Sequence, residues 1–286
     1  MTAARTADLL ERALAERYSV AAFNAVDDFS LRAVLAAAER LRSPVIVEVS
    51  VKTVRMLGAE YLVATFAGRA AAVSIPVSLH LDHCPYRDVI TEAIEAGFDS
   101  VLFNASDRPY QQALEDTRLV VAEAHAHGVS VESEIERIVG VEDGVGSDEA
   151  GPQYPLDWIV RFVSETGIDF FAPAVGTAHG QYTAAPKLRP ERVTELVEAT
   201  GLPQVLHGGT GLSDAELADM AARGCAKTNV STALKEAYMK GSLVHLRAAE
   251  ERGKWDPSSL FAAIEAAVGE MAEKHMRALG SVGKAP

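Results

Sequence analysis

Two hydrophobic rhythms alternate along the chain. Short, nearly continuous apolar runs are separated by longer stretches in which apolar residues return every three or four positions. The first rhythm predicts buried strands and the second predicts amphipathic helices. A first strand is expected over 20–26, followed by a helix with Leu31, Val34, Leu35, Ala38 and Leu41 on one face. Pro44 opens a second strand over 45–50; a helical stretch rich in Ala then leads to Pro76 and a third strand over 77–81. Gly97 ends the next helix as a left-handed cap, ahead of a fourth strand over 100–103. Asp107-Arg108-Pro109 starts a long helix that stops at Gly128. A fifth strand covers 129–135, and Pro155 opens a helix ending at Gly167. The sixth, seventh and eighth strands are expected over 170–175, 204–207 and 226–230. Pro190 opens the helix before the seventh, and a Ser213/Glu216 capping box with Gly224 bounds the helix before the eighth.

Strands apolar on consecutive residues suit a parallel sheet covered by helices. Eight strand–helix units in this length predict an α/β fold of the (β/α)8, or TIM-barrel, type. An open doubly wound sheet is the competitor, but no Gly-x-Gly-x-x-Gly turn follows the first strand. No linker-like composition interrupts the rhythm, so residues 1–286 are expected to form one domain. Residues 241–286 then make a C-terminal helical extension, with Asp256-Pro257 as a helix start.

Composition narrows the function. The formal net charge of −13 argues against nucleic acid and anionic membrane as partners. An anionic substrate then meets a repulsive global field, which local amides and a metal ion must offset. The two cysteines, Cys84 and Cys225, imply no disulfide framework and a reducing compartment. The N-terminus carries Leu9, Leu10, Ala13 and Leu14 on one helical face rather than a secretory leader, and no apolar stretch approaches ~20 residues. A cytoplasmic location is expected.

Polar residues gather at the downstream strand ends, where barrel active sites lie. They include Asn24, Ser50, Asp82, Asn104, Glu132, Glu134 and Asn229. Three histidines share this placement: His83 in Leu81-Asp82-His83, His179 in Gly176-Thr177-Ala178-His179-Gly180, and His207 in Leu206-His207-Gly208-Gly209. A catalytic zinc takes three protein ligands and keeps one open position, so this trio is a candidate metal site. Cys84, beside it, reads as a small buried thiol. Strand alternation is expected to send Asp82 and His83 in different directions. That leaves Asp82 either to meet substrate as acid or base, or to orient a histidine. The Gly-rich turn 208–211 and the segment Asn229–Thr232 follow the last two strands, the usual phosphate site of this barrel. The acidic stretch Val139–Gly144 is expected to be a loop, either a solvated surface segment or a lid carrying Glu142.

These motifs resemble the class II, zinc-dependent ketose-bisphosphate aldolases, the group that includes fructose- and tagatose-bisphosphate aldolases. His80-Leu81-Asp82-His83, Gly176-Thr177-Ala178-His179-Gly180, Leu206-His207-Gly208-Gly209-Thr210-Gly211 and Lys227-Thr228-Asn229 carry the resemblance. It implies reversible cleavage of a ketose bisphosphate to dihydroxyacetone phosphate and an aldehyde through a metal-stabilised enediolate. It implies zinc on His83, His179 and His207, with Glu134 as a ligand in an alternative position. Asp82 is the implied acid/base at the C4 hydroxyl, and Glu142 the residue exchanging a proton with C3. Implied substrate contacts fall on Asn24, Ser50, Gly180, Gly208, Gly209, Thr210, Asn229, Ser231 and Thr232. A monovalent cation (Na+ or K+) near those glycines and a homodimer or homotetramer also follow from the resemblance. Asn104 stands where an Asp is usual, and Glu136 and Val139 replace glycines before the loop. The 48–52 stretch departs from the expected small residues. A Schiff-base route through Lys227, a barrel metal hydrolase and a non-catalytic sugar-phosphate-binding subunit are the rival readings.

Overall fold

The computed structural model describes residues 4–147, 149, 151, 153–180 and 186–286. The barrel strands are β1 (Val20–Asn24), β2 (Val45–Ser50), β3 (Val77–Cys84), β4 (Ser100–Asn104) and β5 (Ser130–Glu134). A hairpin of β6 (Gly140–Glu142) and β7 (Val145–Ser147) intervenes before β8 (Phe170–Phe171), β9 (Gln204–Leu206) and β10 (Cys225–Val230) close the circle. The strands form a closed barrel in the order β1-β10-β9-β8-β5-β4-β3-β2, every pairing parallel. This is the expected (β/α)8 fold.

The strands read as unbroken apolar runs because both their faces are buried. Helices α2 (Asp28–Leu41), α4 (Ala59–Ala70), α5 (Arg87–Ala96), α6 (Tyr110–Ala126), α7 (Leu156–Thr166), α8 (Pro190–Thr200) and α9 (Asp214–Arg223) supply the outer layer. Ala21, Val47, Leu79, Val101 and Val131 point outward into this layer's core. A separate inner cluster joins Val20, Ala22, Ile46, Phe170, Val205 and Ala226 to Leu9, Leu10 and Ala13 of α1 (Thr6–Glu16). Helix α1 thus packs onto the interior cluster, and the other end carries the polar side chains. Among the described residues, no helix is long and apolar enough to cross a membrane.

Three local differences from the sequence expectations matter for the site. The acidic stretch expected as a loop is an antiparallel hairpin turning at Asp143 (φ 49°) and Gly144 (φ 88°). Two successive positive φ values define the type I′ turn, which Asp-Gly favours. β8 stops at Phe171 rather than at 175. Pro173 has no N–H to give, and the Ala174 N–H donates to the Glu136 carboxylate instead. Finally, α3 (Val51–Leu57) and α4 are two helices, broken at Gly58 (φ 87°), where one Ala-rich helical stretch was expected. At the C-terminus, α10 (Thr232–Arg252) and α11 (Pro257–Ala278) pack together, and α11 also packs on α2, where Phe29 stacks on Phe261 at 4.1 Å.

Candidate active site

The three histidines converge. Ligand atoms of His83, His179 and His207 all lie within 4.8 Å of one another. His83 ends up here through a backbone irregularity. Its φ is +41°, and the β3–β4 register shifts between Leu81 and Cys84. Left-handed backbone at a non-glycine residue costs roughly 1 kcal/mol or more and tends to mark functional sites. The same irregularity overturns the expected alternation. Asp82 and His83 face the same space, with Asp82 Oδ1 4.0 Å from His83 Nε2.

Two carboxylates orient the imidazoles from behind. Glu132 Oε1 accepts from His207 Nε2 at 2.7 Å, which leaves the Nδ1 lone pair facing His83 Nε2 at 2.8 Å. Glu134 Oε1 lies 3.3 Å from His83 Nδ1. His207 Nδ1 and His83 Nε2 thus face each other at 2.8 Å in a buried space, close enough to share a cation. The His179 ring has no side-chain hydrogen-bond partner among the described residues and meets the backbone of Gly140. Burial, then the neighbouring His83, pushes His207 and His179 well below the ordinary imidazole value. Neutral imidazole is the metal-binding form, so the donor set fits a divalent ion.

Glu134, expected as a ligand in an alternative position, is drawn up against the Nδ1 side of His83. It lies outside the three-histidine group. Asn104 turns away, its Oδ1 accepting from the Ser106 N–H and hydroxyl at 3.2 and 2.8 Å.

Asp82 is held between two amides. Asn24 Nδ2 donates to its Oδ2 at 2.8 Å and Asn229 Nδ2 to its Oδ1 at 3.1 Å. Burial acts to raise this carboxyl, but His83, His207, Lys227 and the Asn24 amide outweigh it and bring it down to about 2. Asn24 and Asn229, expected to touch substrate, thus use their amide nitrogens on Asp82. Ser50, also expected to touch substrate, caps α3 through a long 3.4 Å bond from the Thr53 N–H.

Lys227 lies fully buried below this layer. Its Nζ sits 2.6 Å from Glu48 and 2.8 Å from Glu132, and it donates to Asn229 Oδ1 at 2.8 Å. Burial alone would lower the ammonium, but Glu132 and Glu48 outweigh it and hold it raised. A charged, doubly paired lysine is a poor Schiff-base nucleophile, which needs the free amine. Glu132 and Glu48 were not singled out for these roles in the sequence. The usable signal was Glu132 two residues before Glu134, on the same inward face of one strand.

The loops after β8, β9 and β10 meet at one side of the mouth. A side chain at Gly208 (φ 71°) would strike Ala178 O at 2.3 Å, and one at Gly209 would strike Thr228 and Asn229. Only glycine lets these backbones approach so closely. Thr210 Oγ1 accepts from the Ala233 N–H at 3.1 Å, tying the turn to the first turn of α10. Ser231 precedes that helix, and its buried hydroxyl has no hydrogen-bond partner among the described residues. Thr232 opens the helix, and a side chain at Gly180 (φ 85°) would meet none of the described residues within 4 Å.

The hairpin leans on His179. The His179 N–H donates to Val139 O at 2.8 Å, and a side chain at Gly140 (φ 111°) would meet His179 O at 2.7 Å. The backbone of Glu142 ends β6, and its side chain lies outside the described residues.

Comparison with known proteins matches this architecture to one family. Residues 4–284 match the family model for fructose-bisphosphate aldolase class-II. The chain is 34% identical over 279 residues to a sulfofructosephosphate aldolase of Alkalicoccus urumqiensis, covering 97% of this chain and 96% of that one. It is 35% identical over 281 residues to a fructose-bisphosphate aldolase of Geobacillus stearothermophilus, covering 97% of both. The crystal structure of the YdjI aldolase from Escherichia coli K12 superposes with a TM-score of 0.84 at 27% identity, covering 99% of this chain and 100% of that one. A whole-length family match and these relatives establish an aldolase, a carbon–carbon lyase of a generally metal-dependent kind: the chain belongs to the class-II fructose-bisphosphate aldolase family.

Proposed function

We propose that this aldolase reversibly cleaves a ketose 1,6-bisphosphate of the tagatose or fructose type, releasing dihydroxyacetone phosphate and an aldehyde, with Zn2+ as its metal. The observation that carries the reading is the convergence of three histidine rings beside a carboxylate that accepts hydrogen bonds from two amides. His83, His179 and His207 hold the ion, and Glu132 and Glu134 orient two of those ligands. When bound, the ion supplies Lewis-acid polarisation of a substrate carbonyl.

Asp82 accepts the C4 hydroxyl proton as the C3–C4 bond breaks. The bonding electron pair stays with the dihydroxyacetone phosphate half, and Glu142 of the hairpin returns a proton to C3. Gly180, Gly208, Gly209, Thr210, Ser231 and Thr232 form the phosphate seat. The buried, unsatisfied Ser231 hydroxyl at the start of a 21-residue helix supports it. A monovalent cation (Na+ or K+) beside Gly180 and Gly208 completes that seat. The names of the relatives span sulfofructosephosphate and fructose-bisphosphate, so the far end of the substrate is where this chain's choice lies. The reading includes a homodimer or homotetramer, supported by an apolar face on α10.

A panel of ketose phosphates, assayed for release of dihydroxyacetone phosphate with and without a chelator, tests the proposal. Release should be abolished by chelation and restored by Zn2+. In the reloaded enzyme, Asp82→Ala should lower turnover by roughly 10²–10⁴-fold while keeping the metal. Undiminished release from metal-free protein would overturn the metal route. Failure on every ketose, with hydrolysis or binding alone, would favour the rival readings.

A further inference from the structure

The hairpin is a small structure to hold a reacting group. Each of its strands has three residues, and a two-stranded hairpin is marginal on its own. Its base is anchored: Val139 pairs with Ala178, and Gly140 lies flush on His179. Beyond that base, Val141 is 51% exposed. What meets the turn is a charge. Lys235 Nζ donates to Asp143 Oδ2 at 2.8 Å, and the two side chains are only 32% and 18% exposed.

Lys235 stands on the first turns of α10. Its own N–H donates to Ser231 O at 3.0 Å, one turn back. The same turn is tied to Thr210 through the Ala233 N–H. One rigid helical turn therefore carries the proposed phosphate seat on its leading residues and the contact to the hairpin tip on Lys235. Asp143 directly follows Glu142, so fixing the turn fixes the end of β6.

We propose that Lys235 is a positioning residue: its ion pair with Asp143 latches the hairpin tip to the phosphate-binding turn and so holds the Glu142 segment in place for proton exchange at C3. The latch rests on the aldolase reading above, and on the hairpin geometry independently of it. It predicts that Lys235 acts on the proton-exchange step rather than on binding. Loss of an interaction that only places a reacting group lowers turnover with little change in KM.

The test uses the metal-loaded enzyme and four variants: Lys235→Met, Asp143→Asn, their combination, and Lys235→Arg. The C3 proton–deuterium exchange of dihydroxyacetone phosphate should fall roughly tenfold in either single neutral variant. The double variant should lose no more than either single, because both remove one contact. Lys235→Arg should regain most of the rate. Metal content and the KM for dihydroxyacetone phosphate should stay within about twofold. Backbone amide exchange over 140–147 should speed up in both neutral single variants.

Several results overturn the latch. Unchanged amide exchange in the hairpin would do so whatever the activity. So would C3 exchange at the wild-type rate in Lys235→Met. A raised KM in Lys235→Met with an unaffected Asp143→Asn would make Lys235 a direct phosphate contact instead. A wild-type enzyme that cleaves ketose phosphates but exchanges no C3 proton would remove the positioning role while leaving the aldolase intact. A wild type that does neither would take the aldolase reading with it.

Discussion

Single carboxylates in this protein do three different jobs, and their surroundings decide which. Asp82 is held low by the neighbouring His83, His207 and Lys227 and by the Asn24 amide, whereas Glu48 is raised well above the usual carboxylate range, first by its burial. Asp99 is a third case, away from the site. It accepts from the Leu79 N–H at 2.7 Å just before β4, as Asp169 accepts from the Val131 N–H just before β8. The repeated device ties neighbouring strands at the upstream end of the barrel. Asp169 also has His125 at 2.9 Å. No cation contributes to the Asp99 shift; burial pushes it up to about 6 and the Leu79 amide offsets only part of that. The sign follows from linkage: a folded value above the unfolded one stabilises fully below about pH 4, and that stability is lost as pH rises through about 6. Asn at this position keeps an acceptor without the charge. Asp99→Asn should therefore gain roughly 2 kcal/mol on wild type between pH 4 and pH 7.5, after allowing for solvent screening. Urea unfolding at the two pH values measures it, and a difference that does not change with pH removes the account. Legibility at this scale was uneven. The histidines stood out because imidazoles at strand ends are uncommon, while the pairing of Glu132 with His207 and Lys227 needs the inside of a closed barrel to exist.

Elements were legible where one local rule was sufficient. The capping box at Ser213 and Glu216, the Asp256 cap and the left-handed Gly97 all formed as their residues dictate. The hairpin was missed although Asp143-Gly144 is a strong turn signal, because its strands are too short and too polar for a periodicity to register. The early end of β8 was likewise hidden, since its backbone partners are side chains from distant positions. Glu136 is central here. It is buried, accepts from the Tyr154 N–H at 2.8 Å and the Ala174 N–H at 3.1 Å, and pairs with Arg192 at 2.6 Å. It thus joins β5's downstream end to the chain on both sides of α7, closing the base of the excursion that bears the hairpin. A residue standing where the resemblance led one to expect a glycine has become a clamp. Removing one partner of a buried pair leaves the other charge uncompensated. Glu136→Ala should cost about 3–5 kcal/mol and lower the melting temperature by several degrees. Glu136→Gln, which keeps an acceptor, should cost less. A melting temperature unchanged in Glu136→Ala would show that the clamp carries no net stability.

At the scale of the whole molecule, the barrel was readable because its eightfold rhythm is redundant: a misplaced strand end does not change the count. Surfaces carry no such redundancy, and self-association has to be argued from what the folded chain leaves uncovered. Met239, Leu243, Val244 and Leu246 of α10 are 66%, 48%, 71% and 41% exposed, and Trp255, just beyond the helix, is 68% exposed. Val244 borders a groove of about 640 Å³ between α10 and α11, lined by Ala248, Ala263, Ala266 and Ala267 and edged by Lys240, His245 and Glu270. Large apolar side chains beside a trough of small ones are self-complementary, as a twofold interface requires, because each copy offers both the knob and the hole. The net charge of −13 opposes such an approach, so the contact must be short-ranged and apolar. A buried glutamate there would add an unpaired charge to each copy. Light scattering should give two or four chain masses for the wild type and one for Val244→Glu, with the monomer still folded by circular dichroism. A wild type with the mass of one chain removes the proposed oligomer; an unchanged oligomer in Val244→Glu moves the interface off α10.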